Sequence, residues 1–237
     1  MSLAIVYTRA RMGVEAPLVR VEAHLSNGLP AFSIVGLPET AVKEARDRVR
    51  SALINAQFEF PQRRITVNLA PADLPKEGGG FDLPIALGVL AASGQLDKDA
   101  LENYEFIGEL ALSAELRPVR GALPAALQSA SAGRTIVLPR ANADEAALAS
   151  QAEVLAADHL LDITAHLYQR KILPRHHYTP APVTYPYPDL SEVKGQVLAR
   201  RALEIAAAGK HNLLFFGPPG TGKTMLASRL PGILPPL

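Results

Sequence analysis

Apolar and polar positions change period several times along this chain, and each change marks an element. Residues 3–8, 18–25 and 32–35 are rich in β-branched and aliphatic side chains. Turn punctuation such as Asn27-Gly28 separates them, which predicts strands. Over 38–57 the period becomes helical. Val42, Ala45, Val49, Ala52, Leu53 and Ala56 fall on one face, with Lys43, Glu44, Arg46, Asp47, Arg48 and Arg50 largely on the other. Glu39/Lys43 and Glu44/Arg48 are i,i+4 pairs in the favourable order. Residues 64–70 predict a strand, 81–93 an apolar helix and 104–112 another strand. Helices at 122–132 and 141–150 flank a strand at 135–138; a short strand at 153–156 and a helix at 158–168 follow. Strands interleaved with helices in this order predict an α/β class.

A break comes next. Pro174, Pro180, Pro182, Pro186 and Pro188 crowd residues 172–188, where apolar periodicity is weak, so the segment reads as a semi-rigid linker. It divides the chain into a first domain over 1–171 and a second starting at 189. His176-His177 within it reads as a solvated pair, because no His, Cys or carboxylate spacing supports a metal site. Beyond the linker, 189–208 predicts a helix. Residues 211–216 (His-Asn-Leu-Leu-Phe-Phe) form a short apolar run suited to a buried strand, and 225–230 continue as a helix.

Composition narrows the classes without choosing among them. The 237 residues allow one to two domains, and 48% hydrophobic with 20% charged residues is ordinary for a globular protein. A formal net charge of +1 demands neither nucleic acid nor an acidic membrane, so a polyanionic partner needs local patches. The chain has no cysteine, which excludes disulfides and thiolate metal sites and suits a reducing compartment. Met1-Ser2-Leu3 lacks the start of a signal peptide, and no apolar run approaches the roughly twenty residues of a membrane span. The expectation is a cytoplasmic protein with no membrane partner.

The sharpest chemical signal lies near the end. Gly217, Pro218, Pro219, Gly220, Thr221, Gly222, Lys223 and Thr224 fit G-x-x-x-x-G-K-[ST] at every fixed position. The glycines permit backbone angles and close approaches that a side chain would block, so successive N–H groups can form a concave anion site. Lys223 is placed to reach the β- and γ-phosphates, and the Thr224 hydroxyl to ligate magnesium. The motif therefore predicts binding of ATP with Mg2+. Hydrolysis also needs an acidic pair on a later strand and often an arginine from a neighbouring subunit. Thirteen residues follow Thr224, including Pro231, Pro235 and Pro236, and no further strand fits among them. The chain is expected to be the N-terminal part of a longer protein and inactive as an ATPase by itself, with no catalytic residue of its own.

Longer runs carry a family resemblance. They include Gly36-Leu37-Pro38-Glu39-Thr40, Val42-Lys43-Glu44-Ala45-Arg46-Asp47-Arg48-Val49-Arg50-Ser51-Ala52 and Asn68-Leu69-Ala70-Pro71-Ala72-Asp73-Leu74-Pro75-Lys76-Glu77-Gly78. Phe81-Asp82-Leu83-Pro84-Ile85-Ala86, Gly108-Glu109-Leu110-Ala111-Leu112 and Leu203-Glu204-Ile205-Ala206-Ala207-Ala208-Gly209 belong to the same set. From end to end the chain resembles the ComM/YifB family, Mg-chelatase-like AAA+ ATPases of bacteria. The resemblance implies a Lon-protease-like, ribosomal-S5-type α/β domain over 1–171, the linker over 172–188, and the start of a AAA+ module over 189–237. It implies hexameric rings and an ATP-driven helicase that migrates DNA branches during natural transformation, so branched or single-stranded DNA is the expected partner. Val193 and Gly195 precede the loop at a distance that resembles the AAA+ base pocket; they equally suit a helix start after the linker.

Similarity to Lon proteases raises a rival activity, which the residues can judge. The segment that carries the Lon serine matches Pro75-Lys76-Glu77-Gly78-Gly79-Gly80 here, so the nucleophile position falls on Gly80. The lysine position falls on Leu123. Neither can act as nucleophile or base, which disfavours a protease. Phosphate contacts from the first domain could come from Arg46, Arg48 and Arg50, or from Arg63-Arg64; the interleaved Glu44 and Asp47 favour a solvated face laced with ion pairs. Lys76-Glu77-Gly78-Gly79-Gly80 reads as a mobile exposed loop for docking, or as a plain connection. Three function classes remain: a motor on DNA, a chelatase-type motor inserting magnesium into a tetrapyrrole, and a non-enzymatic assembly fragment.

Overall fold

A computed structural model describes residues 2–178 and 187–234, divided between two units, Met1–Thr179 and Pro180–Leu237. The linker prolines at 180, 182 and 186 lie outside the described residues, as do the side chains of Thr40, Ala41 and Lys43.

In the first unit, alternation decides which face of each strand is buried. β1 (Ser2–Arg9), β2 (Leu18–Ser26), β3 (Ala31–Val35) and β4 (Arg64–Ala70) form one half of a seven-stranded mixed sheet. β2 and β4 turn Val19, Val21, Ala23, Leu25, Ile65, Val67 and Leu69 inward. Arg20, His24 and Arg64 stay exposed on the other side, the one-faced pattern of a partly covered sheet. α1 (Thr40–Asn55) and α2 (Asp82–Ala92) pack on the inner face. Every residue of α2 is buried, as a helix that is apolar all round after its first residue, Asp82, requires, and Gly88 lets it settle against Ala23 and Val6.

The second half of the sheet is β5 (Tyr104–Phe106), β8 (Thr135–Pro139) and β9 (Val154–Ala157), all parallel. β6 (Glu109–Leu110) and β7 (Leu116–Arg117) make a separate ladder. α3 (Ala122–Ser131) and α4 (Ala143–Ala147) cover one face, where Ile136, Leu138, Val154 and Ala156 point. On the opposite face Val137, Leu155 and Ala157 join the main core with Leu160 and Ile163 of α5 (Leu160–Leu167). The order β3-β4-β2-β1-β5-β8-β9 has four parallel and two antiparallel neighbours, so the sheet is mostly parallel and the α/β expectation is met.

Two buried carboxylates tie these layers together. Glu105 on β5 receives Arg9 Nε and Nη2, each at 2.6 Å, and Arg134 Nη1 at 3.1 Å. Asp82, at the start of α2, receives Arg48 Nε at 2.7 Å and Nη2 at 3.0 Å, and the Leu110 N–H at 3.2 Å. Arg48 therefore reaches inward from α1. Gly36 marks a close approach: its φ is +99°, and a Cβ there would lie 2.3 Å from the Leu69 carbonyl oxygen.

Several sequence expectations are corrected. The strand expected over 104–112 is interrupted after Phe106: the Ile107 N–H still donates to Val137 of β8, but the Gly108 N–H turns to the Gly80 carbonyl and leaves the ladder. Of the two readings of 76–80, the plain connection is the one the bonds at Lys76 and Gly80 favour, with Glu77 and Gly78 exposed between them. Lys76 is fully buried, its Nζ donates to the Pro71 carbonyl, its own carbonyl accepts from Glu39 N–H, and Gly80 accepts from Gly108. Burial lowers the Lys76 ammonium below its ordinary value. After α5 the chain returns along β9. Leu173 is buried, the His176 N–H donates to Val154 at 2.8 Å, and the His176 ring lies 2.7 Å from Asp144 rather than free in solvent.

His166 is a buried titratable group with a defined tautomer. Its Nδ1 accepts from the Leu173 N–H at 3.1 Å, so the neutral ring carries its proton on Nε2 and donates to Tyr104 Oη at 3.1 Å. Burial lowers its pKa, so its stabilisation is complete above the unfolded imidazole value and is lost as pH falls through the folded one. Thermal unfolding measured from about pH 7 to about pH 5 should show a falling midpoint, and His166→Gln should flatten that slope.

Candidate nucleotide-binding site

The second unit is small. Leu190, Val193, Leu203 and Leu226 form its core, with Phe215, Leu230 and Ile233 packed against them. The helix expected over 189–208 is split into a 3-10 turn, Leu190–Glu192, and α6 (Val197–Gly209). Gly195 at φ +71° and Gln196 at φ +51° break it, since left-handed residues cannot continue a right-handed helix. The strand expected over 211–216 forms no ladder among the described residues. Leu214 is 87% and Phe216 100% exposed, and only Phe215 turns toward the core. An apolar run becomes a buried strand only when neighbouring strands accept its backbone groups, and no strand of this unit is described beside it.

The loop over 217–224 leads into α7 (Lys223–Ala227). Gly220 and Gly222 have φ of +81° and +83°, which turn successive N–H groups to one side. Among the described residues, none of the N–H groups of Gly220, Thr221, Gly222, Lys223, Thr224 and Met225 has an acceptor. Lys223 folds back over the loop, donating from Nζ to the carbonyls of Gly217 at 2.9 Å and Pro218 at 2.7 Å. An ammonium has three protons, so one remains for an anion. Thr221 Oγ1 donates to the Pro218 carbonyl at 2.9 Å and closes the turn. The Thr224 hydroxyl is exposed and has no protein partner among the described residues. Pro219 is exposed at the tip. Donors on one side, a cation and a free hydroxyl together suit a triphosphate and its magnesium.

The structure separates the two weaker candidates. The Val193 side chain is fully buried in the small core, whereas Gly195 is exposed, with open space where a Cβ would point. Gln196 was not singled out from sequence, yet its Nε2 donates to the Thr221 carbonyl at 3.3 Å and links this turn to the loop. Arg229 was likewise missed; it bonds Glu192 and the Met225 carbonyl, each at 2.7 Å, and fixes the end of α7. Neither contact has a local sequence signal.

In the first unit, Gly80, where a Lon-type nucleophile would stand, lines a cleft of about 320 Å³, and Leu123, at the base position, is not part of its lining. Gly78, Gly79, Gly80, Arg120 and Gly121 line it, together with Arg9, Arg11 and Glu109. Its lining contains no serine, threonine, cysteine, lysine or histidine. The cleft therefore lacks the serine and lysine of a Lon-type dyad, although Glu15, Glu77 and Glu109 line it. Among the described residues there is also no His/Asp/Glu cluster suited to a metal ion, and no helix long and apolar enough to cross a membrane.

Comparison with known proteins agrees with this geometry. Residues 21–142 match the family described as subunit ChlI of Mg-chelatase, and residues 189–237 match magnesium chelatase, subunit ChlI. The chain is 58% identical to the competence protein ComM of Haemophilus influenzae over 240 residues, covering 99% of this chain and 47% of that protein. It is 57% identical to the uncharacterized protein YifB of Salmonella typhimurium and 55% identical to that of Escherichia coli, covering all of this chain and 47% of each. The chain thus spans about half the length of the curated relatives it matches. With both segments matched and this chain aligned along its whole length to about half of each relative, the chain belongs to the ComM/YifB family of proteins with Mg-chelatase-like domains.

Proposed function

We propose that this chain binds ATP with magnesium through residues 217–224, and that it contributes this site to a ring-forming AAA+ motor acting on DNA. The observation that carries the nucleotide reading is the run of unpaired N–H groups from 220 to 225, beside an ammonium with a proton to spare. Backbone donors held by the loop would grip the phosphates. Lys223 would shift from carbonyls toward the β- and γ-oxygens, and Thr224 would ligate magnesium. When bound, the metal offsets phosphate charge. Gly195 and the backbone beside Val193 would border the base. The domain division that goes with this reading is 1–171, a linker over 172–188, and the start of the ATPase module over 189–237. Hexameric assembly, branch migration on branched or single-stranded DNA, and a cytoplasmic setting belong to this proposal as what the family resemblance implies; the relative's name, competence protein, supports a role in competence. A chelatase-type motor is the second reading, because both family descriptions name Mg-chelatase.

Titration with a fluorescent ATP analogue, with and without Mg2+, tests the site. Saturable binding that magnesium strengthens is expected, and Thr224→Ala should remove most of the magnesium effect while leaving metal-free binding intact. No saturable binding in either condition would end the nucleotide reading. DNA binding against tetrapyrrole binding then separates the two motors.

A further inference from the structure

Arg46 and Arg50 stand one helical turn apart on α1 and share a face, whereas Arg48 points inward to Asp82. Residues 60–63, just before β4, bring Phe60, Pro61, Gln62 and Arg63 to the same place, Pro30 joins them from just before β3, and Phe32 from within it. Together they line a cleft of about 340 Å³ beside the sheet edge, with Asp47 as the acid within it. Three guanidinium groups thus converge that are scattered in sequence.

Their pairing leaves positive charge over. Arg46 bonds Asp47 at 3.2 Å and 3.4 Å. Arg50 and Arg63 have no carboxylate partner among the described residues. Arg50 lies instead over the ring of Phe60, 5.4 Å from its centroid. The rings of Phe60 and Phe32 are 5.9 Å apart and inclined by 44°, and both remain half-buried at the cleft. Two half-buried rings that line the cleft while packing on the main core, one of them under the Arg50 guanidinium, stand beside unneutralised charge; rings and guanidinium planes that stack on bases, with cations for the phosphates, are the combination that holds single strands.

We propose that this cleft is a binding site for single-stranded nucleic acid. A duplex presents base edges and keeps its base faces stacked, so it cannot use the rings. A strand with splayed bases can. An acidic peptide would satisfy the arginines but leave the aromatic pair without a role. The site lies in the first unit and uses no residue of the 217–224 loop. It stands on its own charges and rings, and it stays testable if nucleotide binding fails.

Fluorescence anisotropy of the 237-residue chain with a labelled oligothymidylate of about 12 nucleotides provides the test, with a duplex of equal length and a polyglutamate peptide as the other arms. The single strand should bind more tightly than the duplex, and polyglutamate should compete weakly. Arg50→Ala with Arg63→Ala should weaken binding at least about tenfold at low salt and lower the slope of log affinity against log salt by roughly 1.4. Phe32→Leu, checked for folding by circular dichroism, should weaken it about fivefold or more. Arg140→Ala with Arg201→Ala removes the same charge elsewhere and should leave binding unchanged. Absence of single-strand binding, or equal losses in the two arginine pairs, would overturn the proposal. Unchanged affinity in Phe32→Leu together with strong displacement by polyglutamate would instead assign the cleft to an acidic protein segment.

Discussion

Arg48→Ala is expected to destabilise the first unit by about 3–5 kcal/mol, because it strips the partner from a buried carboxylate. Asp82 has no exposed surface, and among the described residues Arg48 supplies two of the three hydrogen bonds it accepts. Only the Leu110 N–H would remain. Desolvation already raises the Asp82 pKa, and the Arg48 hydrogen bond and charge oppose that rise. Without the guanidinium the rise is larger. A carboxyl raised in the folded state stabilises folding below its unfolded pKa and loses that contribution as pH climbs through the folded value. The deficit of Arg48→Ala should therefore be greatest near neutrality and shrink on acidification. Denaturant unfolding at several pH values reads this directly, as a shift in midpoint at constant slope. Asp82→Asn in the Arg48→Ala background should recover part of the loss, since a neutral amide is cheaper to bury. A deficit below about 1 kcal/mol that does not change with pH would mean that water reaches Asp82 and that the pair is only a surface bridge.

How much of this was legible from sequence depended on how local each signal was. The strand at 64–70 and the helix containing Val42, Ala45 and Val49 were readable because a period of two or of 3.6 is written into the neighbouring residues. The phosphate-loop motif is contiguous, so its residues stand together whatever surrounds them. The run 211–216 misled because apolar character alone does not supply a ladder partner. Residues 189–208 misled because left-handed geometry at Gly195 and Gln196 interrupts an otherwise helical pattern. Lys76 looked exposed among glycines, yet the chain from Pro71 folds over it and takes up its ammonium. The arginines were harder still. Nothing in the order Arg46, Arg48, Arg50, Arg63 says that the second turns to Asp82 while the others gather around Phe32 and Phe60. That division is tertiary and appears only once α1 is laid against α2 and the sheet edge.

Lys223→Ala is expected to weaken ATP binding by about 1.5–3 kcal/mol, the value of a hydrogen bond to a charged group. In affinity that is roughly ten- to hundred-fold. The ammonium sits over the loop, holding the carbonyls of Gly217 and Pro218. Its removal has two possible consequences: loss of a charge that meets phosphate, or loss of a tie that shapes the loop. The ligand series separates them. A charge that meets the β- and γ-phosphates predicts a large loss for ATP and ADP and a small one for AMP. Collapse of the loop predicts similar losses for all three, since the backbone donors would be misplaced for any phosphate. Lys223→Arg should not rescue binding, because a planar fork cannot reproduce a compact ammonium at the same stem length. Isothermal titration of ATP, ADP and AMP against both variants measures this. Unchanged ATP affinity in Lys223→Ala would leave the free N–H groups of residues 220–225 without the cation that the reading requires, and nucleotide binding at this loop would have to be abandoned.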